Sequence, residues 1–210
     1  MKRLSKREFE TYSWVHEGVV ELSHFEPLRP IEVTLLQKLS EHGITTGKLL
    51  EIGCSYGRAG LPFAQQGFEV TGIEKNLAAV RKFNRIARKN SLPARAYYKK
   101  VEQYDLGDKE WRVLICEYTT HCMTSGSGFD LLDRIIEATQ IGGFNLISVF
   151  TSTGETFTKT ELENRCFPPE GYLQSHYSRL GWEILNFTEG AEPTKRGPLQ
   201  IASQIITRRI

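Results

Sequence analysis

The chain has 210 residues, 40% of them hydrophobic and 25% charged, with a formal net charge of +2. That length suits one domain whose core needs neither disulfides nor metals, and the charge is too even to argue by itself for a nucleic-acid or anionic-membrane partner. Cys54, Cys116, Cys122 and Cys166 form no CxxC pair, no apolar run nears the ~20 residues of a membrane-spanning helix, and the basic "MKRLSKREFETYSW" is not followed by a signal-peptide core, so a reduced cytoplasmic protein without membrane contact is expected.

The first 46 residues lack strand signals and read as two helices. One spans roughly residues 5–22. The other is "IEVTLLQKLSEHG", opened by Pro30 and closed by Gly43, with Ile31, Leu35, Leu36 and Leu39 on one face. "KLLEIG" then reads as a buried strand, followed by a helix over about residues 58–66. "FEVTGIE" is a second strand, "LAAVRKFNRIARKN" a helix, "ARAYYKKV" a third strand and "WRVLICEYT" a fourth. "FDLLDRIIEATQ" is a helix stopped by Gly142 and Gly143, and "FNLISVFT" is the fifth strand. Strands alternating with helices imply a parallel sheet in an α/β fold.

The alternation breaks at the end. Residues 151–179 are polar and irregular apart from a helical piece near residues 170–179. "WEILNFTEG" and "LQIASQIITRR" are joined by "AEPTKRGP", too short for a crossover helix, so they should pair antiparallel at the sheet edge.

In an open parallel sheet the ligand sits beyond the carboxyl ends of the strands, where the strand order reverses. The turn after "LLEIG" belongs there. Gly53 and Gly57 permit a tight turn and close approach of a ligand, and Glu74 ends the next strand, placed to accept both hydroxyls of a ribose. NAD, FAD and S-adenosylmethionine all fit that outline. The spacing is Glu51-x-Gly53-x-Ser55-x-Gly57 and not GxGxxG. A carboxylate at Glu51 would repel a pyrophosphate and attract the methionyl ammonium, which favours S-adenosylmethionine.

"LLEIGCSYGRAGLPFAQQGFEVTGIEKN" resembles the first cofactor motif and second strand of class I S-adenosylmethionine-dependent methyltransferases. "GGFNLISVF" and "FPPEGYLQSHYSRLGWEILNFTEG" are similar to the C-terminal third of their tellurite-resistance (TehB-type) branch, and together the matches cover most of residues 48–190. The resemblance implies a Rossmann-like α/β fold, with a mostly parallel seven-stranded sheet, an antiparallel last strand and helices on both faces. Residues 1–210 would form one methyltransferase domain, with an N-terminal helical lid (1–46), a cofactor-binding core (47–150), a lid insertion (151–179) and a C-terminal β-hairpin (180–210). Three positions depart from the family pattern. Ser55 replaces the usual middle glycine, Lys100 stands where an acid often meets the adenine amino group, and Arg112 stands where Asp is usual.

Methyl transfer needs alignment, a dry site and sometimes a base. Cofactor contacts are expected from Glu51, Gly53, Cys54, Ser55, Gly57, Glu74, Lys75, Lys100, Val101, Cys116 and Glu117. His121 and Tyr118 on the rim after the fourth strand are the catalytic candidates, His121 as proton acceptor or as a residue that holds the loop. Tyr12, Trp14, Arg58, His176 and Arg196 are the candidates for substrate contact, against the alternatives of lid packing and solvated charge. No metal constellation is present. "RKFNRIARKN" carries five positive charges that could touch nucleic acid, but the apolar stripe opposite them reads more simply as a solvated amphipathic helix. The expected activity is methyl transfer to a small molecule. An RNA or protein methyltransferase and a degenerate, non-catalytic cofactor-binding module are the alternatives.

Overall fold

Leu49 and Leu50 set the layering. Consecutive residues on a strand point to opposite faces, so two adjacent leucines demand cover on both. In the computed structural model, which describes residues 21–193 and 199–210, both lie on β1 (Gly47–Ile52) near the middle of a seven-stranded sheet. The other strands are β2 (Phe68–Glu74), β3 (Ala94–Tyr98), β4 (Trp111–Glu117), β5 (Thr139–Gly154), β6 (Glu183–Pro193) and β7 (Leu199–Arg208). Their order is β3-β2-β1-β4-β5-β7-β6. β1 to β5 run parallel, and β7 is antiparallel to both β5 and β6.

The helices are α1 (Pro30–Glu41), α2 (Gly60–Gln65), α3 (Leu77–Lys89), α4 (Ser125–Ala138), α5 (Lys159–Asn164) and α6 (Tyr172–Arg179). Leu49 joins one core with Leu35 and Leu39 of α1, Phe63 of α2, and Phe83 and Ile86 of α3. Leu50 joins the other with Leu131 and Ile135 of α4 and Tyr177 of α6. The expected α/β architecture, with helices on both faces and an antiparallel last strand, is the one observed. No described helix is long and apolar enough to cross a membrane.

Three elements differ from the sequence reading. Residues 58 and 59 lie in the turn before α2, which starts at Gly60. Helix α4 ends at Ala138, before the glycine pair, which instead forms an irregularity within the longer β5. There Gly142 takes φ +74° and donates its N–H to Arg209 O at 2.8 Å, while Gly143 O accepts from Arg209 N at 2.9 Å. A helix stop and a strand bulge call for the same left-handed glycine, so the local signal does not separate them. The segment after β5 contains the short helix α5, capped by Thr158 and Glu161. Most of the expected helix at residues 5–22 lies outside the described residues, and Leu22–His24 form a 3₁₀ turn.

The crossover from β1 leads to β2 on one side, while β4 lies on the other. The strand order therefore reverses between β1 and β4, and the loops after these strands, residues 53–59 and 118–124, frame the crevice.

Candidate active site

The two loops touch. Gly53 has φ +73°, and a Cβ built on it would fall 2.3 Å from Thr119 Oγ1. The Thr119 hydroxyl is within hydrogen-bonding reach of Ile52 O (3.3 Å) and Glu117 O (3.2 Å), so it ties the ends of β1 and β4 together. Gly57 is hemmed in from behind, where an added Cβ would meet Leu61 at 2.6 Å and Phe83 at 2.7 Å. Ser55 is held at φ +49°, a left-handed conformation that costs a non-glycine residue about 1–3 kcal/mol and persists only where its surroundings enforce it.

Part of that enforcement comes from Glu74. One of its carboxylate oxygens accepts Ser55 N–H at 3.1 Å and the other accepts Asn76 N–H at 2.7 Å. Burial pushes its pKa above the ordinary value against the pull of these two bonds. Each oxygen keeps a further lone pair, so the carboxylate is oriented and still has acceptor capacity. Asn76 then caps α3 by accepting from Ala78 and Ala79 N–H.

Glu51 lies beneath the turn, 7% exposed, and accepts Gly60 N–H at 3.0 Å. Burial pushes its pKa up to about 8 despite the nearby Arg58 guanidinium. The sequence suggested a free carboxylate in the crevice, but at neutral pH this side chain is largely protonated and props the start of α2.

The fixed charges at this end come from a second acid, missed in the sequence. Glu32 on the first turn of α1 is fully buried and receives both arms of the Arg58 guanidinium, Nη1 to Oε2 at 2.9 Å and Nη2 to Oε1. Burial alone would raise its pKa, but the Arg58 bonds outweigh it and hold Glu32 below the ordinary range. Glu117, at the end of β4, lies against the same group. Its Oε2 is 3.6 Å from Arg58 Nη2, its Oε1 is 3.2 Å from Arg29 Nη1, and Ser148 Oγ donates to Oε1 at 3.4 Å. Burial, and then its hydrogen bond with Glu32, hold Glu117 well above the ordinary range, so it keeps its proton and donates it toward Glu32. Arg58, expected as an exposed or substrate-facing helix residue, thus sits in the turn as the hub of a buried ionic cluster.

The rim after β4 is aromatic. Tyr118 has φ +50°, carries the Arg29 guanidinium 5.0 Å over its ring, and accepts Gln204 Nε2–H at its hydroxyl at 2.8 Å. Burial pushes its phenol up to about 12. His121 is 8% exposed among Phe150, Phe157 and Phe167, with ring centroids at 5.2, 5.6 and 6.2 Å. Its Nε2 lies 3.5 Å from Cys122 Sγ. Phe150 comes from β5, and Phe157 and Phe167 come from the segment between β5 and α6, so two stretches of chain wall in the histidine of the β4 loop.

Other sequence candidates fall elsewhere. Cys54 lends the turn its backbone, but its thiol packs into the core against Gly72. Cys116 is a core residue of β4, its thiol pushed up to about 12 by burial. Lys75 and Lys100 are exposed, and Val101 is buried beside Leu106 and Trp111. His176, expected at a substrate lid, is instead in the packing of α6 on α4. Its Nε2 is 3.1 Å from Asp133 Oδ1 and its ring stacks on Tyr172 at 5.2 Å. Tyr12, Trp14 and Arg196 lie outside the described residues. Sequence reasoning did not find Arg29, Glu32 or the three phenylalanines. The one local signal was Pro30 with Glu32 in the first helical turn, which marks a helix start and not a partner for Arg58.

The family described as "Tellurite resistance protein TehB" matches residues 37–197. The ubiquinone biosynthesis O-methyltransferase of Rickettsia akari (strain Hartford) is 24% identical over 162 residues, covering 74% of this chain and 62% of that protein. The corresponding Rickettsia felis protein is 26% identical over 125 residues, covering 55% of this chain and 50% of its own length. Among solved structures, TehB from Haemophilus influenzae superposes with a TM-score of 0.73 at 19% identity, over 87% of this chain and 63% of that one. A Burkholderia thailandensis 1,6-didemethyltoxoflavin-N1-methyltransferase, solved with S-adenosylhomocysteine, has a TM-score of 0.65 at 19% identity, covering 87% of this chain and 78% of its own. The chain thus spans less than two thirds of the length of the Rickettsia relatives and of Haemophilus TehB.

Proposed function

Because the chain belongs to the tellurite resistance protein TehB family, within the class I S-adenosylmethionine-dependent methyltransferases, we propose that it transfers a methyl group from S-adenosylmethionine to a small-molecule acceptor by in-line displacement. The observation that carries this reading is the Glu74 carboxylate, oriented by two backbone N–H groups at the rim of the glycine turn with acceptor capacity left for two ribose hydroxyls. The bound cofactor supplies a methyl carbon already activated by positive sulfur. The residues of this chain hold, align and exclude water.

Glu74 takes the ribose. Gly53 has no Cβ to push the β4 loop away, and its exposed backbone borders the path of the chain that links ribose to the methionyl group. Arg58, Glu32 and Glu117 form the polar end of the crevice. There a zwitterionic amino acid meets the accessible edge of the Arg58 guanidinium and the protonated Glu117, with Glu32 buried behind them. Lys75 and Lys100, both exposed, contribute surface around the nucleoside.

On the acceptor side, His121 takes the proton released as the acceptor's oxygen or nitrogen is methylated. Tyr118 keeps its own proton at neutral pH and serves as donor and wall. The aromatic surface of Phe150, Phe157 and Phe167 suits a flat acceptor and keeps the site dry. The relatives named as O- and N-methyltransferases of small molecules support an acceptor of that size.

Calorimetric titration with S-adenosylmethionine and S-adenosylhomocysteine tests the reading. Micromolar binding abolished in Glu74→Ala supports it and opens an acceptor screen that follows formation of S-adenosylhomocysteine. A folded wild type that binds neither compound would instead mark a degenerate module.

A further inference from the structure

Between Glu74 and Glu102 the chain carries nine lysines and arginines and not one acid, although the whole protein has a net charge of only +2. The rest of the molecule is therefore net negative, and its positive charge is concentrated on α3, β3 and their flanks. Arg81, Arg85 and Arg88 recur at helical spacing along one face of α3. They line a cleft of about 900 Å³ with Arg95 of the edge strand β3 and the side chain of Asn84. None of these four arginines has an acidic side chain within ion-pair distance among the described residues. Their neighbour Lys89, by contrast, pairs with Glu21. Asn84 bonds both the N–H and the C=O of Ala96, at 2.8 and 2.9 Å, which closes the outer edge of β3 and fixes the helix against it.

The elements that carry these arginines lead to the crevice end of the sheet. Helix α3 runs from the crevice end of the sheet to the opposite end, and β3 returns, ending at Tyr98, which pairs in register with Glu74. Tyr98 shares the α3 side of the sheet with Ala94 and Ala96 and is 58% exposed. Lys99 follows, its N–H bonded to Glu74 O at 3.0 Å.

We propose that this surface binds a single-stranded nucleic acid, its phosphates on the arginine row and an unpaired base on Tyr98. Arginine forks match phosphate oxygens. Successive arginines rise about 6 and 4.5 Å along the helix, which suits a chain of phosphates better than one compact anion. An exposed tyrosine at the end of the row offers an aromatic face that a free polyphosphate has no use for, and only an unpaired base can stack on it. The surface lies outside the crevice, so this docking holds whether or not the bound strand is the methyl acceptor.

The test is fluorescence anisotropy of a labelled 20-nucleotide single-stranded RNA with wild type, Arg85→Glu/Arg88→Glu and Tyr98→Ala, each checked for folding by circular dichroism. All three changes are at exposed side chains. Wild type should bind, with log Kd rising against log salt at a slope of about 3, near 0.7 for each of four neutralised phosphates. The double variant should weaken binding at least about tenfold and flatten the slope, and Tyr98→Ala should weaken it with the slope retained. Three results would overturn the proposal: no binding at about 0.1 M salt, affinities equal in all three proteins, or displacement of RNA by inorganic polyphosphate at equal phosphate with Tyr98→Ala unaffected.

Discussion

Arg58 and Glu32 face each other fork to fork, Nη1 to Oε2 at 2.9 Å, although 26 residues and a whole strand separate them in the chain. Glu32 is fully buried, and Arg58 is the cation within bonding distance of both its oxygens. The pair fastens the first turn of α1 to the glycine turn, so the N-terminal helix and the cofactor loop share one buried contact. Breaking such a pair from one side leaves an uncompensated buried charge, whereas removing both partners is far milder.

Arg58→Met should therefore destabilise the fold by about 3–5 kcal/mol, and Glu32→Gln in the same chain should recover part of that loss. Urea unfolding of the two single variants and the double variant measures the coupling. Strict additivity would show that the two side chains do not depend on each other.

The buried carboxyl of Glu51 makes stability depend on pH. Its pKa rises from an ordinary 4.5 to about 8 in the folded state, so over that interval the native protein keeps a proton that the unfolded chain has released. Stability is then full below about pH 4.5 and falls as pH rises toward 8, by up to about 1.4 kcal/mol per pH unit for one proton. Glu117, raised by burial, acts in the same sense. Glu51→Gln keeps an acceptor for Gly60 N–H without the charge, and it should flatten the slope measured by unfolding at several pH values. An unchanged slope would show that Glu51 is ionised in the native state.

Gly53→Ala places a methyl group against Thr119 and forces φ +73° on a residue with a Cβ. A stability loss of about 1–3 kcal/mol is expected from the backbone alone, together with lost cofactor affinity as the β4 loop is pushed away. Thr119→Ala added to it relieves the clash but not the dihedral strain, so rescue should be partial. Full rescue would mean that the backbone conformation carries no strain.

His121→Gln and Tyr118→Phe should separate the roles of the two rim residues. With an acceptor in hand, His121→Gln should lower kcat by about 10²–10⁴-fold while S-adenosylmethionine affinity stays within a few fold. Tyr118→Phe keeps the wall and loses only the hydroxyl, so it should act mainly on acceptor KM. Equal, small effects of both variants would mean that neither moves a proton.

Glu74→Gln tests charge against shape. The amide oxygen can accept one backbone N–H, but the amide nitrogen would then face a second donor. Cofactor affinity should fall at least about tenfold, and the loss should come with a destabilised Ser55 turn, seen as a lower Tm.

By itself, the sequence determined the α/β alternation, the switch to an antiparallel pair at the end and the position of the glycine turn. These rest on short-range physics. Leu49 and Leu50 demand two covered faces, the eight-residue "AEPTKRGP" cannot hold a crossover helix, and a left-handed glycine is legible in a few residues. Glu74 was legible too, because strand length and register fix where the next strand ends.

Only the tertiary structure decided what each charged group is doing. Glu51 and Glu32 are chemically identical in the sequence. One is buried under a backbone N–H and kept protonated, and the other is clamped as an anion by Arg58, because burial and partners at long separation set the charge of a carboxyl. The same applies to His121, which became a rim residue among phenylalanines from β5 and the segment after it, and to His176, which its contact with Asp133 assigned to helix packing. Local pattern fixes where the backbone goes, whereas the energy of an ionisable side chain depends on atoms that the chain brings together only by folding.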